Sequence, residues 1–403
     1  MTDKNAEKLQ DAIGEVRDDF VQDAALSVPK KKKVWMKWAA AAACLCLAAV
    51  GVYAAARPGG RGDAPDGELP RVTVPEYAAG SFGFEGLMYF SPEELENGNP
   101  WREDTCPGTM PVYKNGSWDP TGAGVPAGLD VQEMTRRLER AAGALGLELL
   151  SVKQETDAEK DKDGTVTPGK NVYGLSAETD RGRLRVLANG TLAYEPPEGW
   201  ALPEGYSFTY SDTSDAQALE AMEYLVEQYA SLLQYSHPQI CLGGDYTFEG
   251  KYTRNYKVYD STGDPGQDVL NYFFRSAAFA PDDEGNLMLI YVYDGLAAAE
   301  KMGDYPLISA AQAREKLAAG KYQTSVPVPM PGEEYVARTE LVYRPGPGEE
   351  TLLPYYRFWV ELQDADGWRM TRENGLKTYG AFYVPALPDE YIANMDVYDG
   401  HFN

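Results

Sequence analysis

The first residues whose spacing suits a chemical role are carboxylates in a polar stretch. Glu159, Asp161 and Asp163, followed by Gly164, have the 1, 3, 5, 6 spacing of a calcium loop, in which alternate oxygen ligands surround the ion. The twelfth position is Lys170 instead of the bidentate glutamate that such a loop uses. A polar hairpin turn is therefore the favoured interpretation, with weak calcium binding as the alternative.

Cys106 and Cys241 are the two cysteines that follow the long apolar segment of the chain. Outside the cytoplasm such a pair can form one disulfide that closes a long loop. Two buried free thiols are the equal alternative. The spacing excludes a CxxC redox or zinc motif.

Motifs of known catalytic classes are absent from the sequence. Two histidines, His237 and His401, are too few for a histidine metal site or a histidine-centred triad, and no nucleophile-elbow, zinc-protease or phosphate-loop pattern occurs. Asp260, Asp264 and Asp268 fit a solvated turn. The sequence predicts a protein that is not an enzyme and uses no cofactor. A hydrolase working through two carboxylates is the alternative.

The charge balance of the 403 residues excludes a broad class of partners. Lys and Arg number 37 against 62 Asp and Glu, which gives a formal net charge of −25. Residues 1–56 hold eight of the basic and seven of the acidic side chains, so the remainder carries almost all the acidity. Binding to nucleic acid needs a basic face, and the sequence predicts no nucleic-acid partner.

A membrane span is predicted over residues 34–56, where Lys37 is the only charged residue. Four lysines precede the span and favour a cytoplasmic amino terminus, and two tryptophans suit the headgroup level. These anchor residues are Lys30, Lys31, Lys32, Lys33, Trp35 and Trp38. The alternative is a cleaved signal peptide ending at Ala54, Ala55 and Ala56, against which the long preceding segment argues.

The tail at residues 1–33 contains an amphipathic helix pattern. Leu9, Ile13, Val16 and Phe20 are spaced by four, three and four residues, and acidic residues occupy positions between them. The pattern fits a docking helix for a cytoplasmic partner, and equally a helix lying against the inner membrane surface.

The elements that follow a Gly/Pro-rich linker at residues 57–80 predict an α+β fold. Helices are predicted from near Asp130, from Ser214 and from Ser309, each followed by strand patterns. The strands predicted after the second helix cover 252–259, 269–279 and 287–293. A helix followed by an antiparallel meander, three times over, predicts modules at 81–205, 206–300 and 301–403.

The third module resembles a known kind of domain. Its helix from Ser309 and its strand sequences LVY, LPYYRFWVEL and YGAFYVPAL are similar to PepSY-type modules and to extracytoplasmic regulators of cell-wall histidine kinases. The front of the chain resembles uncharacterised single-pass proteins of gut Clostridia, some with an anti-sigma layout, although the tail lacks the His and Cys ligands of zinc-binding anti-sigma domains.

Together these features predict a single-pass protein of the cell membrane, with the amino terminus inside and the α+β region outside. The resemblance implies sensing or regulation through protein contacts, with a histidine kinase or a sigma factor as the partner of the tail or the span. A membrane-anchored cell-wall or peptide hydrolase and a secreted binding protein are the alternatives.

Overall fold

The structure is a computed structural model of the chain. It describes residues 69–75, 88–90, 99–119, 127–160, 166–198, 200–247, 250–362, 375–395, 397–398 and 400. All of them lie in one compact unit that extends from Asp66 to Asn403. None of the helices in these residues is long and apolar enough to cross a membrane. The predicted tail and span, at 1–33 and 34–56, lie outside the described residues.

The described residues form five α-helices and three short 3-10 helices. The α-helices are α1 (Val131–Leu145), α2 (Asp215–Gln228), α3 (Ala230–Leu233), α4 (Pro265–Phe274) and α5 (Ala310–Ala318). The 3-10 helices are Glu103–Thr105, Glu333–Tyr335 and Asp389–Tyr391.

Sixteen strands are formed within the same residues. They are β1 (Met88–Phe90), β2 (Thr109–Lys114), β3 (Leu149–Lys160), β4 (Val166–Thr179), β5 (Gly182–Leu187), β6 (Leu192–Glu195), β7 (Pro238–Tyr246), β8 (Tyr252–Asp260), β9 (Ser276–Pro281), β10 (Leu287–Val292), β11 (Glu300–Pro306), β12 (Gln323–Thr324), β13 (Val336–Val342), β14 (Thr351–Leu352), β15 (Tyr355–Glu361) and β16 (Lys377–Pro385). The fold is α+β with mainly antiparallel sheets, as the sequence predicts.

Local signals in the sequence set the helix ends. Asp130 caps α1 by accepting a hydrogen bond from the backbone N–H of Glu133, and Gly146 ends the helix in the left-handed region at φ 62°. Ser214 and Ser309 each form a capping box at the start of α2 and α5. The predicted starts of these three helices are confirmed.

The largest sheet has eight strands in the order β3-β4-β5-β6-β10-β9-β8-β7. From either edge the strands run inward in chain order, and the two halves meet at the antiparallel pair β6 and β10. One half follows α1 in the chain and the other follows α2 and α3. The predicted boundary between residues 205 and 206 therefore separates two halves of one continuous sheet.

One face of this sheet is covered by the helices. Leu138 of α1 and Leu225 of α2 belong to a single buried cluster that also contains Val186 and Val258 from the strands. Because neighbouring residues of a strand point to opposite faces, the residues next to Val186 and Val258 lie on the other face of the sheet.

The rest of the described chain forms two smaller sheets. A five-stranded sheet has the order β1-β16-β15-β13, with β12 pairing β16, and a three-stranded sheet has the order β11-β2-β14. The strands β1 and β2, which fall within the first predicted module, thus pair with strands of the third.

The prediction of a strand over residues 269–279 is wrong in its first half. Residues up to Phe274 form α4, and the strand β9 begins at Ser276. Asp264 caps this helix and Pro265 occupies its first turn, a pair of start signals that outweighs the apolar run behind them. The helix places Tyr272 and Phe273 beside a cleft.

Candidate functional site

A cleft of about 1500 Å³ lies between the eight-stranded sheet and the five-stranded sheet. Its walls come from the strands β7 to β10 on one side and from β13, β15 and β16 on the other, and α4 contributes to the lining. The volume exceeds the roughly 300–1,000 Å³ typical of small-molecule sites. The cleft is large enough for a ligand bigger than a common metabolite.

The first wall presents a register row on the face of the sheet opposite α1 and α2. Cys241 pairs with Lys257, Lys257 pairs with Ala278, and Ala278 pairs with Tyr291. Residues paired in this way share a face, so their side chains line the cleft together. Lys257 is the charged member of these four.

Lys257 is a partly buried cation against aromatic rings. Its Nζ atom lies 3.6 Å from the ring centroid of Tyr272 and 5.9 Å from that of Phe273, both on α4. Burial lowers the pKa of the ammonium to about 8, against a smaller opposing effect of Cys241. Within the described part of the chain, no carboxylate forms an ion pair with it.

Cys241, beside Lys257, is a free thiol. Burial raises the pKa of this thiol to about 11, while the charges of Lys257 and Arg102 act in the opposite direction. Cys106 is also free, and its Sγ lies 3.5 Å from the hydroxyl of Tyr356. The two cysteines form no disulfide with each other in this structure. Both are free thiols, which is the alternative that the sequence left open.

The second wall carries an ion pair of unequal burial. Oε2 of Glu340 on β13 accepts hydrogen bonds from Nε of Arg357 at 2.9 Å and from Nε1 of Trp359 at 3.2 Å, both on β15. The side chain of Glu340 is 2% exposed, whereas that of Arg357 is 26% exposed. The guanidinium carbon also lies 4.7 Å from the Trp359 ring, so the arginine is held on two sides.

Opposing effects act on the pKa of Arg357. Burial lowers it, but the charge of Glu340, hydrogen bonding to Glu340 and interactions with Tyr383 together raise it well above its ordinary value. Arg357 is thus a fixed cation of the second wall.

Tyr272 connects the two walls electrostatically. Burial raises the pKa of its hydroxyl, and further effects come from Cys241 on the first wall and from Arg357 and Glu340 on the second. Charges on both walls therefore act on this ring, which lies against Lys257.

A second arginine–carboxylate pair contributes to the lining. Arg254 on β8 is 8% exposed, and its guanidinium lies 2.6 Å from Asp215, which is 86% exposed. Arg254 also donates to the carbonyl oxygen of Thr213. The ionisable carboxyl groups that line the cleft, Asp215 and Glu340, are both bonded to arginines.

Both carboxylates of the cleft lining are occupied by arginine partners. A carboxylate pair for hydrolysis needs one acid able to give a proton and a second facing it across the substrate. Asp215 and Glu340 instead each accept from a guanidinium. The aromatic and cationic groups around them are suited to holding a ligand.

The acidic series at 260–268 runs from the last residue of β8, Asp260, through the cap residue Asp264 to Asp268 in the first turn of α4. Asp264 accepts from the backbone N–H of Gln267, and Asp260 accepts from the backbone N–H of His237, which is exposed. Asp268 accepts from Ser261 and Thr262. Each of these carboxylates supports the local backbone. The prediction of a solvated turn is wrong for Asp268, which is 8% exposed because it satisfies the hydroxyls and the N–H of the preceding loop.

Most of the other predicted site residues fall outside the part of the chain that the structure describes. Asp161 and Asp163 lie outside the described residues, and only the backbone of Glu159, at the end of β3, is described. The docking residues Leu9, Ile13, Val16 and Phe20 and the anchor residues Lys30, Lys31, Lys32, Lys33, Trp35 and Trp38 also lie outside. Among the described residues there is no group of three His, Cys, Asp or Glu side chains able to hold a metal ion.

Sequence patterns did not predict the cleft residues Lys257, Tyr272, Glu340 and Arg357. One signal was present for the arginine, which is a single charge inside the otherwise apolar run YYRFWV. A charge in such a run is expected to be paired or functional. The pairing with Glu340 joins residues 17 positions apart on neighbouring strands, which periodicity alone does not reveal.

Comparison of the sequence with protein-family models and with curated proteins finds no match to either.

Proposed function

We propose that this protein is a non-catalytic sensing or regulatory protein anchored in the cell membrane by residues 34–56. Its α+β region lies outside the cytoplasm and binds a ligand or partner, and its tail at 1–33 communicates with a histidine kinase or a sigma factor. The observation that carries the proposal is the large cleft whose lining carboxylates are both bonded to arginines.

The strand order supports the finer reading of the fold as tandem PepSY-like modules. Each half of the eight-stranded sheet follows a helix and contributes four strands in the same inward order. The helix predicted for the third module is α5, which begins at a capping box and contacts the five-stranded sheet. Modules related in this way serve the proposed binding role because their sheets form the cleft walls.

The test is crosslinking in intact cells with an affinity tag after Asn403. The full chain is compared with a chain lacking residues 2–28, which keeps the lysines that orient the span. Recovery of a kinase or a sigma factor that depends on the tail is the expected result. Recovery of the same partners without the tail, or of none, would overturn tail-mediated regulation.

A matched control separates a docking helix from a helix on the membrane surface. Replacing Leu9, Ile13 and Val16 by Asp removes the apolar stripe and leaves the length of the tail unchanged. Loss of the partner while the protein still fractionates with membranes is expected for docking. A soluble mature product released into the medium would favour the secreted binding protein instead.

A further inference from the structure

The cleft contains more positive than negative charge in a strongly acidic protein. Its lining includes three cations, Arg254, Lys257 and Arg357, and two carboxylates, Asp215 and Glu340. Both carboxylates pair with the arginines, which leaves Lys257 as the cation without a carboxylate among the described residues. With a net charge of −25 on the whole chain, carboxylates are abundant elsewhere.

No carboxylate of the described part of the chain therefore offsets the desolvation of Lys257. A buried charge is costly unless it is paired, and proteins normally pair it with a carboxylate. The two aromatic rings of α4 compensate only part of this cost through their negative faces. An anionic group from a ligand in the cleft would supply the missing partner.

The surroundings of Lys257 define the body of such a ligand. Tyr291, in the same register row, is stacked with Tyr293 at a centroid distance of 5.9 Å, and Trp359 lies on the opposite wall. Tyr272 and Phe273, which lie against Lys257, and these further rings line the same cleft. Aromatic side chains of this kind contribute large contact areas and favour flat or apolar groups.

We propose that the cleft binds an amphipathic organic anion, whose acid group pairs with Lys257 and whose apolar or aromatic body lies against Tyr272, Phe273, Tyr291 and Trp359. The inference rests on the proposed function, for which it names the class of ligand. The shared chemistry is one acid group on an apolar body, and a carboxylate, a sulfonate or a phosphate monoester can supply it.

The test uses ligands that share one ring system. Naphthalene-2-carboxylate, naphthalene-2-sulfonate, 2-naphthyl phosphate and the neutral naphthalene-2-carboxamide are titrated by calorimetry into the full chain in a non-ionic detergent. At least one acid is expected to bind tenfold or more tightly than the amide, and the order among the acids identifies the preferred headgroup. Equal binding of all four compounds would overturn the proposal.

Substitutions of Lys257 test whether this residue causes the preference for the acids over the amide. Lys257→Met should remove the tenfold advantage of the acid over the amide, and Lys257→Arg should keep most of it. Lys251→Met, which removes an exposed lysine before the same strand, is the matched control and should leave the preference unchanged. Micelle partitioning is common to all samples. A preference that survives in Lys257→Met, with circular dichroism unchanged, would contradict the assignment.

The outcomes distinguish this inference from the proposed function. If the acids bind through Lys257 but no tail-dependent partner is recovered by crosslinking, the ligand class stands and the regulatory role fails. If a partner is recovered and the acids show no preference, the regulatory role stands and the ligand class fails.

Discussion

The Lys257 side chain shows how burial and charge oppose each other at a single residue. Its pKa of about 8 lies below the ordinary value of 10.5, so folding disfavours its charged form. Below pH 8 the side chain is protonated in both states and the full cost of burying the charge is present. Between pH 8 and 10.5 the folded state releases the proton while the unfolded state keeps it, and the cost is relieved.

The cost of burying the charged Lys257 side chain can be measured as the pH dependence of the free energy of unfolding. The free energy of unfolding of the wild type, relative to Lys257→Met, is expected to rise by about 1–2 kcal/mol between pH 7 and pH 9.5. The facing titratable groups are Cys241 on β7, whose pKa is about 11, and Tyr272 on α4, whose pKa is raised, so in the folded protein neither titrates in this window. Their ionisation in the unfolded chain is common to the wild type and Lys257→Met and cancels from the difference. Urea unfolding at both pH values measures the difference, and a constant difference would contradict it.

A second prediction at the scale of a residue concerns the ion pair of Glu340 with Arg357. Glu340→Gln removes the charge that Arg357 and Trp359 hydrogen-bond and leaves the guanidinium without its anion. A loss of about 2–3 kcal/mol in the free energy of unfolding is expected, since breaking a buried pair is costly and Arg357 keeps some exposure to water.

The neighbouring strand pair supplies the control for Glu340. Glu361 forms an ion pair with Lys377 at 2.6 Å, but the side chains are 25% and 37% exposed. Glu361→Gln should therefore lower the free energy of unfolding by less than about 1 kcal/mol. Equal losses in the two variants would show that burial does not distinguish the two pairs.

At the scale of elements, α4 determines where the cleft rings lie. Its Asp268 is 8% exposed and accepts from Oγ of Ser261 at 2.8 Å and from the hydroxyl and backbone N–H of Thr262. Asp268→Ala leaves these donors unpaired, so a loss of about 2–3 kcal/mol is expected. Faster hydrogen exchange at the amides of 265–274 should accompany it.

The cap of the same helix is the matched comparison. Asp264 is exposed and caps α4 through one hydrogen bond to the backbone N–H of Gln267 at 2.8 Å. Asp264→Ala should lower the free energy of unfolding by about 1 kcal/mol. If Asp268→Ala and Asp264→Ala lose the same free energy of unfolding and show the same hydrogen exchange at the amides of 265–274, Asp268 acts only as a second cap.

The elements also show which parts of the fold can be predicted from sequence. The starts of α1, α2 and α5 follow from Asp130, Ser214 and Ser309, because caps act within one turn of the helix. The strand prediction for 269–274 failed because an apolar run fits a buried strand and a buried helix equally well. The start signals at Asp264 and Pro265 would have decided it.

The cleft could not be predicted in the same way. Lys257 and Arg357 are 100 positions apart in the chain, and they line one cavity only because the eight-stranded and five-stranded sheets face each other. The pairing of β6 with β10 brings together strands about 100 residues apart in the same manner. The hydrophobic periodicity of a short segment carries no information about contacts between residues so far apart in the chain.

At the scale of the whole molecule, the charge of −25 acts against the site that we propose for anions. Lys257 attracts an acid group at close range, while the acidic surface repels it over longer distances. Salt screens exposed charges beyond the Debye length, about 30 Å at 0.01 M and 8 Å at 0.15 M, and affects a partly buried pair less. Added salt should therefore weaken the repulsion more than the attraction.

The affinity of the preferred naphthalene acid for the full chain is therefore expected to rise roughly three- to tenfold between 10 and 150 mM salt. A cation site on an uncharged protein would give the opposite trend. The neutral naphthalene-2-carboxamide should change little, which controls for effects of salt on apolar binding. Calorimetric titration at the two salt concentrations measures both compounds. An acid affinity that falls with salt would mean that the local attraction to exposed cations dominates, and that the acid binds outside the cleft.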